Sequence, residues 1–299
     1  MAYKAQFDRK RKFGVEIELY GINQFELQHA MTESGIPAKI ALVEKPSDQY
    51  WYITCDGSIQ GEDPAELKSP VLVGIEGINH VRSVLTLLNH LDVQVNDSCG
   101  LHVHHYVGDF TGKNILSLLR LYAKFENVVD RLVDPSRREN KNYHCQSLIK
   151  DDTLEWITGL DKKETARALD IALKFDQNYK VKSLGSMTAC GSRNHKVNIT
   201  SYLKHSTIEF RHHESTLDID EVLNWIVFTQ QFISRAKLAS VSKEMSAKPV
   251  MGEMLRALGM VEYQGCSDPV VLTAREWIKN KIGQTRRGRK PKKIAWQMN

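Results

Sequence analysis

The sequence predicts an α+β fold, a mostly antiparallel sheet with helices packed on one of its faces. Two observations carry that reading. Strand-like and helix-like segments are mixed rather than strictly alternating, and several strand-like runs follow one another directly. Three of those runs also have one apolar side and one ionisable side, as strands do when they cover a core with a single face.

Each element has its own signal. Residues 13–20, FGVEIELY, alternate strictly, with Val15, Ile17 and Leu19 on one side and Glu16 and Glu18 on the other. Residues 23–34 read as a short helix stopped by Gly35. KIALVE (39–44) and QYWYITCDGS (49–58) read as strands. AELKSPVLV (65–73) is another, interrupted by Pro70, which cannot donate to a ladder. Residues 74–92 form a helix with Ile75, Ile78, Val81, Val84, Leu85 and Leu88 along one side. GLHVHHYVG (100–108) is a strand. The helix at 111–133 repeats Ile115, Leu118, Leu119, Tyr122, Phe125, Val129 and Leu132. DPSRREN (134–140) is a polar loop, and a helix covers 162–175. Residues 195–216 read as a hairpin turning near Lys204–His205. A long amphipathic helix at 219–238 follows, then short helices at 248–258 and 271–281.

Bulk properties narrow the class. The 299 residues are 41% hydrophobic and 26% charged, an ordinary water-soluble composition. No apolar run approaches the roughly 20 residues a membrane helix needs, so no membrane partner is expected. The N-terminus is basic but lacks the apolar core of a secretory signal. Five scattered cysteines suit a reducing, cytoplasmic setting. The net charge of +5 is carried by the end of the chain. Residues 281–299 hold Lys281, Arg286, Arg287, Arg289, Lys290, Lys292 and Lys293 with no acid. Basicity therefore describes the partners of a tail, not the chemistry of the body.

The chemistry sits on the ionisable sides of three strands. SCGLHVHH (98–105) is a poor zinc motif, because no second ligand pair follows Cys99, His102 and His104, and Cys145 stands alone. On a strand, His102 and His104 share one side, opposite Leu101, Val103 and His105. In TIEFRHH, Thr207, Glu209, Arg211 and His213 share a side, opposite Ile208, Phe210 and His212. Taken singly, V-E-I-E-L reads as a half-exposed edge and E-F-R as a salt bridge. Together, Glu16/Glu18, His102/His104 and Glu209/Arg211 converge on one concave surface if these strands pair. Clustered carboxylates need a cation, and this donor set suits Mg²⁺ or Mn²⁺, with zinc also compatible. An arginine among them points to a second, anionic ligand such as phosphate.

FGVEIELY, WYITCDGSIQGEDPAELKSP, CGLHVHH, RNHKVNI and TIEFRHHESTLDIDEVLNWI occur in the order seen in the amidoligase family. That family is similar to the glutamine synthetase and glutamate–cysteine ligase superfamily of carboxylate–amine ligases. The resemblance covers residues 13–238 and implies a curved, glutamine synthetase-like catalytic domain there. It leaves a basic arm (1–12), a helical extension (239–283) and a basic tail (284–299). It implies an ATP- and Mg²⁺-dependent ligase (Mn²⁺ as alternative, two or three ions) that forms an amide through an acyl phosphate.

The roles it implies fall on particular residues. Glu16, Glu18, Glu66, His102 and Glu209 would hold metal, with Glu18 also counted as catalytic. His104 would lie by the nucleotide phosphates, Arg211 at the phosphate being transferred, and Arg193 at nucleotide or substrate. Asp56 would lie near the substrate or a third metal. Arg137 and Arg138 can hold a substrate carboxylate or serve as surface charge. His105, His212 and Cys99 are structural. No G-x-x-x-x-G-K-[ST] phosphate loop is present. The implied partners are a small-molecule carboxylate, glutamate or another amino acid, and an amine. Two rivals stand. One is a zinc hydrolase using His102, His104 and Glu66. The other is a nucleic-acid-binding protein acting through RRGRKPKK (286–293), which resembles an AT-hook with an inserted lysine.

Overall fold

The computed structural model describes residues 3–41, 49–149, 193–238 and 250–285. The expected helix at 162–175, residues 42–44 of the KIALVE strand and the basic tail beyond Thr285 lie outside the described residues.

The chain folds in the order β1 (Lys12–Leu19), α1 (Gln24–Glu33), β2 (Ala38–Ile40), β3 (Trp51–Thr54), β4 (Ala65–Lys68), β5 (Leu72–Val73) and α2 (Gly74–Leu88). β6 (Gly100–Tyr106), α3 (Gly112–Val129), β7 (Val197–Asn198), α4 (Ser201–His205), β8 (Thr207–Glu214), α5 (Ile219–Leu238), α6 (Met251–Ala257) and α7 (Pro269–Thr285) complete it. One sheet runs β2-β3-β4-β1-β6-β8-β7, with β5 also pairing β1. Among the strand pairs of the described residues, β2–β3 is parallel and the others are antiparallel, as the directly joined strands imply.

Alternation builds the two faces. Val15, Ile17 and Leu19 of β1, Leu101 and Val103 of β6, and Ile208 and Phe210 of β8 are buried on one side. α5 lies against β6 there, and α2, α3 and α7 pack on α5. The core is continuous into the ends of the chain. Ala5 and Phe7 of the basic arm are buried, as are Val271 and Ile278 of the C-terminal extension. The Ala5 N–H donates to the Gly259 carbonyl, and Arg11 forms a two-pronged pair with Asp109.

Several boundaries differ from the sequence reading, each for a local reason. Ser69-Pro70 divides 65–73 into β4 and β5. The 74–92 helix stops at Leu88, where Asn89 caps it by donating its side-chain amide to the Leu85 carbonyl. The helix expected over 111–133 ends at Val129 and tightens into a single 3₁₀ turn, Asp130–Leu132. A second such turn, Pro135–Arg137, lies inside the polar loop. The hairpin is real as a pair, β7 with β8, but its connection holds α4 rather than a tight turn.

The largest departure is a bulge. Leu101 lies opposite His213, whereas Val103 lies opposite Phe210. Two residues of β8, Arg211 and His212, therefore oppose one of β6, His102. The expected alternation holds up to Arg211 and then slips by one. His213 leaves the side of Glu209 and Arg211 and stacks on Trp225 of α5, ring centroids 4.7 Å apart.

Candidate active site

Four neighbouring strands bring the ionisable residues together. Glu16 on β1 lies opposite His102 on β6. Glu18 lies opposite Glu66 on β4, and His104 opposite Glu209 on β8. A period of two then sends all of them to the face opposite the described helix layer. The site is dry: Glu18, Glu66, His102, Glu209 and Arg211 are each less than a tenth exposed.

Glu16 is the hub. His102 Nδ1 lies 3.1 Å from its Oε2 and His104 Nε2 3.4 Å from its Oε1. His102 also reaches Glu18 at 3.6 Å and Glu209 at 3.5 Å. The Gly100 N–H donates to Glu18 Oε2 at 2.5 Å. Lys68 Nζ lies 2.8 Å from Glu66. Arg211 pairs through Nη1 with Glu209 and donates its Nε–H to the His144 carbonyl at 3.2 Å. Asn198 Nδ2 donates to the other Glu209 oxygen at 2.6 Å.

These contacts split the titration of the carboxylates. Burial raises Glu16, but the charge of His104 and contacts with both histidines outweigh it and hold its carboxyl well below the ordinary range. Burial likewise opposes ionisation of Glu209, and His104 and Arg211 override it, so Glu209 is also lowered. Glu66 goes the other way. Burial and the Glu16 charge push it up to about 9, with Lys68 only partly offsetting them. His104 is raised, because Glu209 and Glu16 overcome the burial that favours its neutral form. Arg211 is raised by Glu209 against the same opposition. Without a cation, then, the cluster keeps a proton on Glu66 and borrows positive charge from histidine, lysine and arginine.

Three overlapping sets each offer ligand atoms within 4.8 Å of one another: Glu16–His104–Glu209, Glu16–Glu66–His102 and Glu18–Asp56–Glu66. Asp56, on the loop after β3, thus joins the cluster. Burial raises its carboxyl, but the Ser58 N–H and hydroxyl more than compensate and leave it lowered. His104, expected at nucleotide phosphates, has ligand geometry as well. A cavity of about 430 Å³ adjoins the cluster, with Glu16 and His104 in its wall. Tyr52 and Tyr106 line it, with Lys12, Lys68 and Lys204 supplying positive charge. This is the size of a small-molecule site.

Not every expected residue joins. Arg193 is exposed on the turn before β7, and the structure does not bring it into the cluster. Arg138 commits its Nε and Nη2 to the Val133 carbonyl, at 2.9 and 2.7 Å, which leaves its fork spent on the backbone. Arg137, its neighbour, is 2% exposed. Sequence reasoning also missed Lys68 and Asn198. Lys68 is two residues after Glu66 on β4 and so shares its face, a signal that was available. Asn198 could be found only through the β7–β8 register. His105 and His212 sit on the helix side as expected, against Thr229 at 2.9 Å and Tyr122 at 2.5 Å.

A mixed α/β sheet with a buried carboxylate–histidine–arginine cluster on its open face defines an enzyme-like site rather than a structural metal knot. Residues 9–233 match the model of the family described as "Putative amidoligase enzyme". The chain belongs to that family. Its solved structural neighbours include a bifunctional glutathione synthetase from Pasteurella multocida, at 12% identity and a TM-score of 0.47. That match covers 94% of this chain and 50% of the other, so the chain spans about half its length. No curated protein matches significantly. Among the described residues, no helix is long and apolar enough to cross a membrane.

Proposed function

We propose that the protein is an ATP- and Mg²⁺-dependent carboxylate–amine ligase with a glutamine synthetase-like catalytic domain over residues 13–238. The observation that carries this is the convergence of the buried Glu18, Glu66, His102, Glu209 and Arg211 with the half-buried Glu16 and His104 beside the 430 Å³ cavity. The donors fit a hard divalent cation: each of the three sets is rich in carboxylate oxygen, and no set holds more than one imidazole. Shared use of Glu16 and Glu66 suits two or three adjacent ions. Mg²⁺ bound there supplies positive charge against ATP and the transferring phosphoryl group.

The chain's own residues do the rest. The cavity takes the nucleotide, with Tyr52 and Tyr106 offering aromatic surface and Lys12, Lys68 and Lys204 countering phosphate charge. Glu209 and the His144 carbonyl hold the Arg211 guanidinium through Nη1 and Nε, and its remaining N–H groups would meet the phosphoryl group in transit. The acid's carboxylate oxygen attacks the γ-phosphorus, ADP leaves, and an acyl phosphate forms. The amine nitrogen then attacks the acyl carbon, phosphate departs, and the amine loses its proton. Burial of the cluster protects the acyl phosphate from water.

The test is ADP release from Mg-ATP by the full chain across paired acids and amines. ADP that depends on one acid and one amine identifies the ligase and its substrates together. No ADP with any pair, and no Mg-ATP binding by calorimetry, refutes it. The zinc-hydrolase reading needs His102, His104 and Glu66 around one ion, but among the described residues no ligand set holds both histidines. Stoichiometric zinc in the purified protein would restore it.

A further inference from the structure

The bulge that turns His213 away from the cluster gives it other carboxylates to face. His213 and Glu214 end β8, and Glu221 lies in the first turn of α5. These three residues offer ligand atoms within 4.8 Å of one another. None of them belongs to the cluster described above.

The imidazole is set up as a ligand. Its Nδ1 lies 2.7 Å from the Glu214 carbonyl, which can only accept, so Nδ1 carries the proton. Burial pushes the ring down to about 4, against the charge of Glu214, so Nε2 keeps a free lone pair at neutral pH. Nε2 lies 3.2 Å from Glu221 Oε1, yet it is buried and has no hydrogen-bond partner. A lone pair facing a carboxylate oxygen is repelled unless a cation lies between them. Metal-binding histidines are oriented in this way, with the other ring N–H given to a carbonyl. Glu214 is also placed: its Oε2 accepts the Asp134 N–H at 2.9 Å, which leaves Oε1 for an ion. His213 is fully buried, whereas the Glu214 and Glu221 side chains are 20% and 21% exposed. Water therefore reaches the carboxylate end, where it can complete the coordination of an ion.

Lys281 of α7 meets the same carboxylates. Its Nζ pairs with Glu221 and lies 3.9 Å from Glu214 Oε1. Burial lowers its pKa, although Glu214 and Asp218 work against that, so its ammonium is poorly solvated there. It makes no hydrogen bond to His213 Nε2. A metal ion would satisfy the imidazole and both carboxylates together, which the ammonium does not do.

We propose that His213, Glu214 and Glu221 form a second metal site, which takes Zn²⁺ in preference to Mg²⁺, and that Lys281 competes with the metal for it. The imidazole sets the preference. The two cations need the same oxygens, so each excludes the other. The family match ends at residue 233, so the competing lysine comes from outside the matched region. The site does not depend on the ligase reading.

The test is calorimetric titration of the full chain with Zn²⁺ in excess Mg²⁺. One equivalent should bind, persist in Glu16→Gln and weaken about tenfold to a hundredfold in Glu221→Gln. In Lys281→Met it should tighten by a similar factor, a gain that misfolding does not produce. X-ray absorption at the zinc edge should show one imidazole with oxygen ligands and no sulfur. Zinc that is lost in Glu16→Gln belongs to the carboxylate cluster; it overturns this proposal and favours the hydrolase reading. Unchanged affinity in Glu221→Gln, or no tightening in Lys281→Met, overturns it too. So does sulfur among the ligands, or no zinc binding by the unmodified protein.

Discussion

His104 and His105 are adjacent on one strand, yet they lie in opposite chemical worlds. His105 is fully buried and His104 largely so, its side chain 15% exposed. His104 faces Glu16 and Glu209, which raise its affinity for a proton. His105 faces the helix layer, where burial and the Arg11 charge push it down to about 3. The same split holds for β8. Glu209 and Arg211 face the cluster, while burial lowers His212 to about 3 and His213 to about 4 on the helix side. The difference teaches that burial alone does not make a site here. What makes the candidate active site is burial beside carboxylates on the face that, among the described residues, no helix covers.

The comparison can be broken most forcefully by exchanging damage between faces. Phe210 lies between Glu209 and Arg211 in sequence but points to the other side. It is fully buried and packs on His105, Tyr122 and Phe232. Phe210→Ala should cost about 3–5 kcal/mol of stability, read by urea denaturation. A loss under about 1 kcal/mol would mean that the helix face is not the load on which the fold depends.

Glu209→Gln, one residue away, should do the reverse. It should lower Mg-dependent ADP release about a hundredfold to a thousandfold while costing less stability than Phe210→Ala, because the neutral amide gives up the favourable charge of His104 and Arg211 but leaves the helix-side core untouched. Near-normal turnover would remove Glu209 from the site. Arg211→Lys should fall comparably, since an ammonium cannot reproduce the two-pronged contact.

The cluster's need for a cation gives a smaller effect. Mg²⁺ at a hundred times its dissociation constant should stabilise the protein by about 2.7 kcal/mol through linkage. Glu16→Gln should abolish that gain, whereas His105→Gln should keep it. Thermal unfolding with and without Mg²⁺ reads both.

How much of this was legible follows from range. The period of two in V-E-I-E-L, L-H-V-H and I-E-F-R is local, so Glu16 and Glu18, His102 and His104, and Glu209 and Arg211 could each be assigned to the ionisable side of their own strand, with convergence conditional on pairing. The family match over residues 9–233 spans all three of those motifs. What could not be read depends on contacts distant in sequence. The bulge that turns His213 away arises from how β8 meets β6, and nothing in TIEFRHH announces it. Arg137 and Arg138 are adjacent in a polar loop; only tertiary packing decides which is buried and which spends its fork on a carbonyl. α4 hides in the hairpin connection because five residues are too few for a helical period to register.

The smallest effect sharpens the comparison most, because its sign differs between faces. His105, His212 and His213 have folded pKa values below the roughly 6.5 of an unfolded histidine. Burial is the first cause for each. Arg11 adds to it at His105 and Lys196 at His212, while at His213 Glu214 opposes it and Lys281 assists. Below about pH 6.5 the unfolded chain takes up protons that the folded chain refuses, so stability rises with pH. Their contribution is complete above that pH and drains away as pH falls toward 3 or 4, by up to about 1.4 kcal/mol per pH unit for each histidine. His104 has the opposite sign. Its folded pKa is raised, so its contribution is complete below the unfolded value and is lost as pH rises through the folded one. Urea denaturation between pH 5 and 7 without Mg²⁺ should therefore show a shallower slope of stability against pH in His105→Gln. In His104→Gln the slope should be steeper. Equal slopes in the two variants would mean that the faces do not differ electrostatically, and the carboxylate cluster would lose its claim to be a charged site.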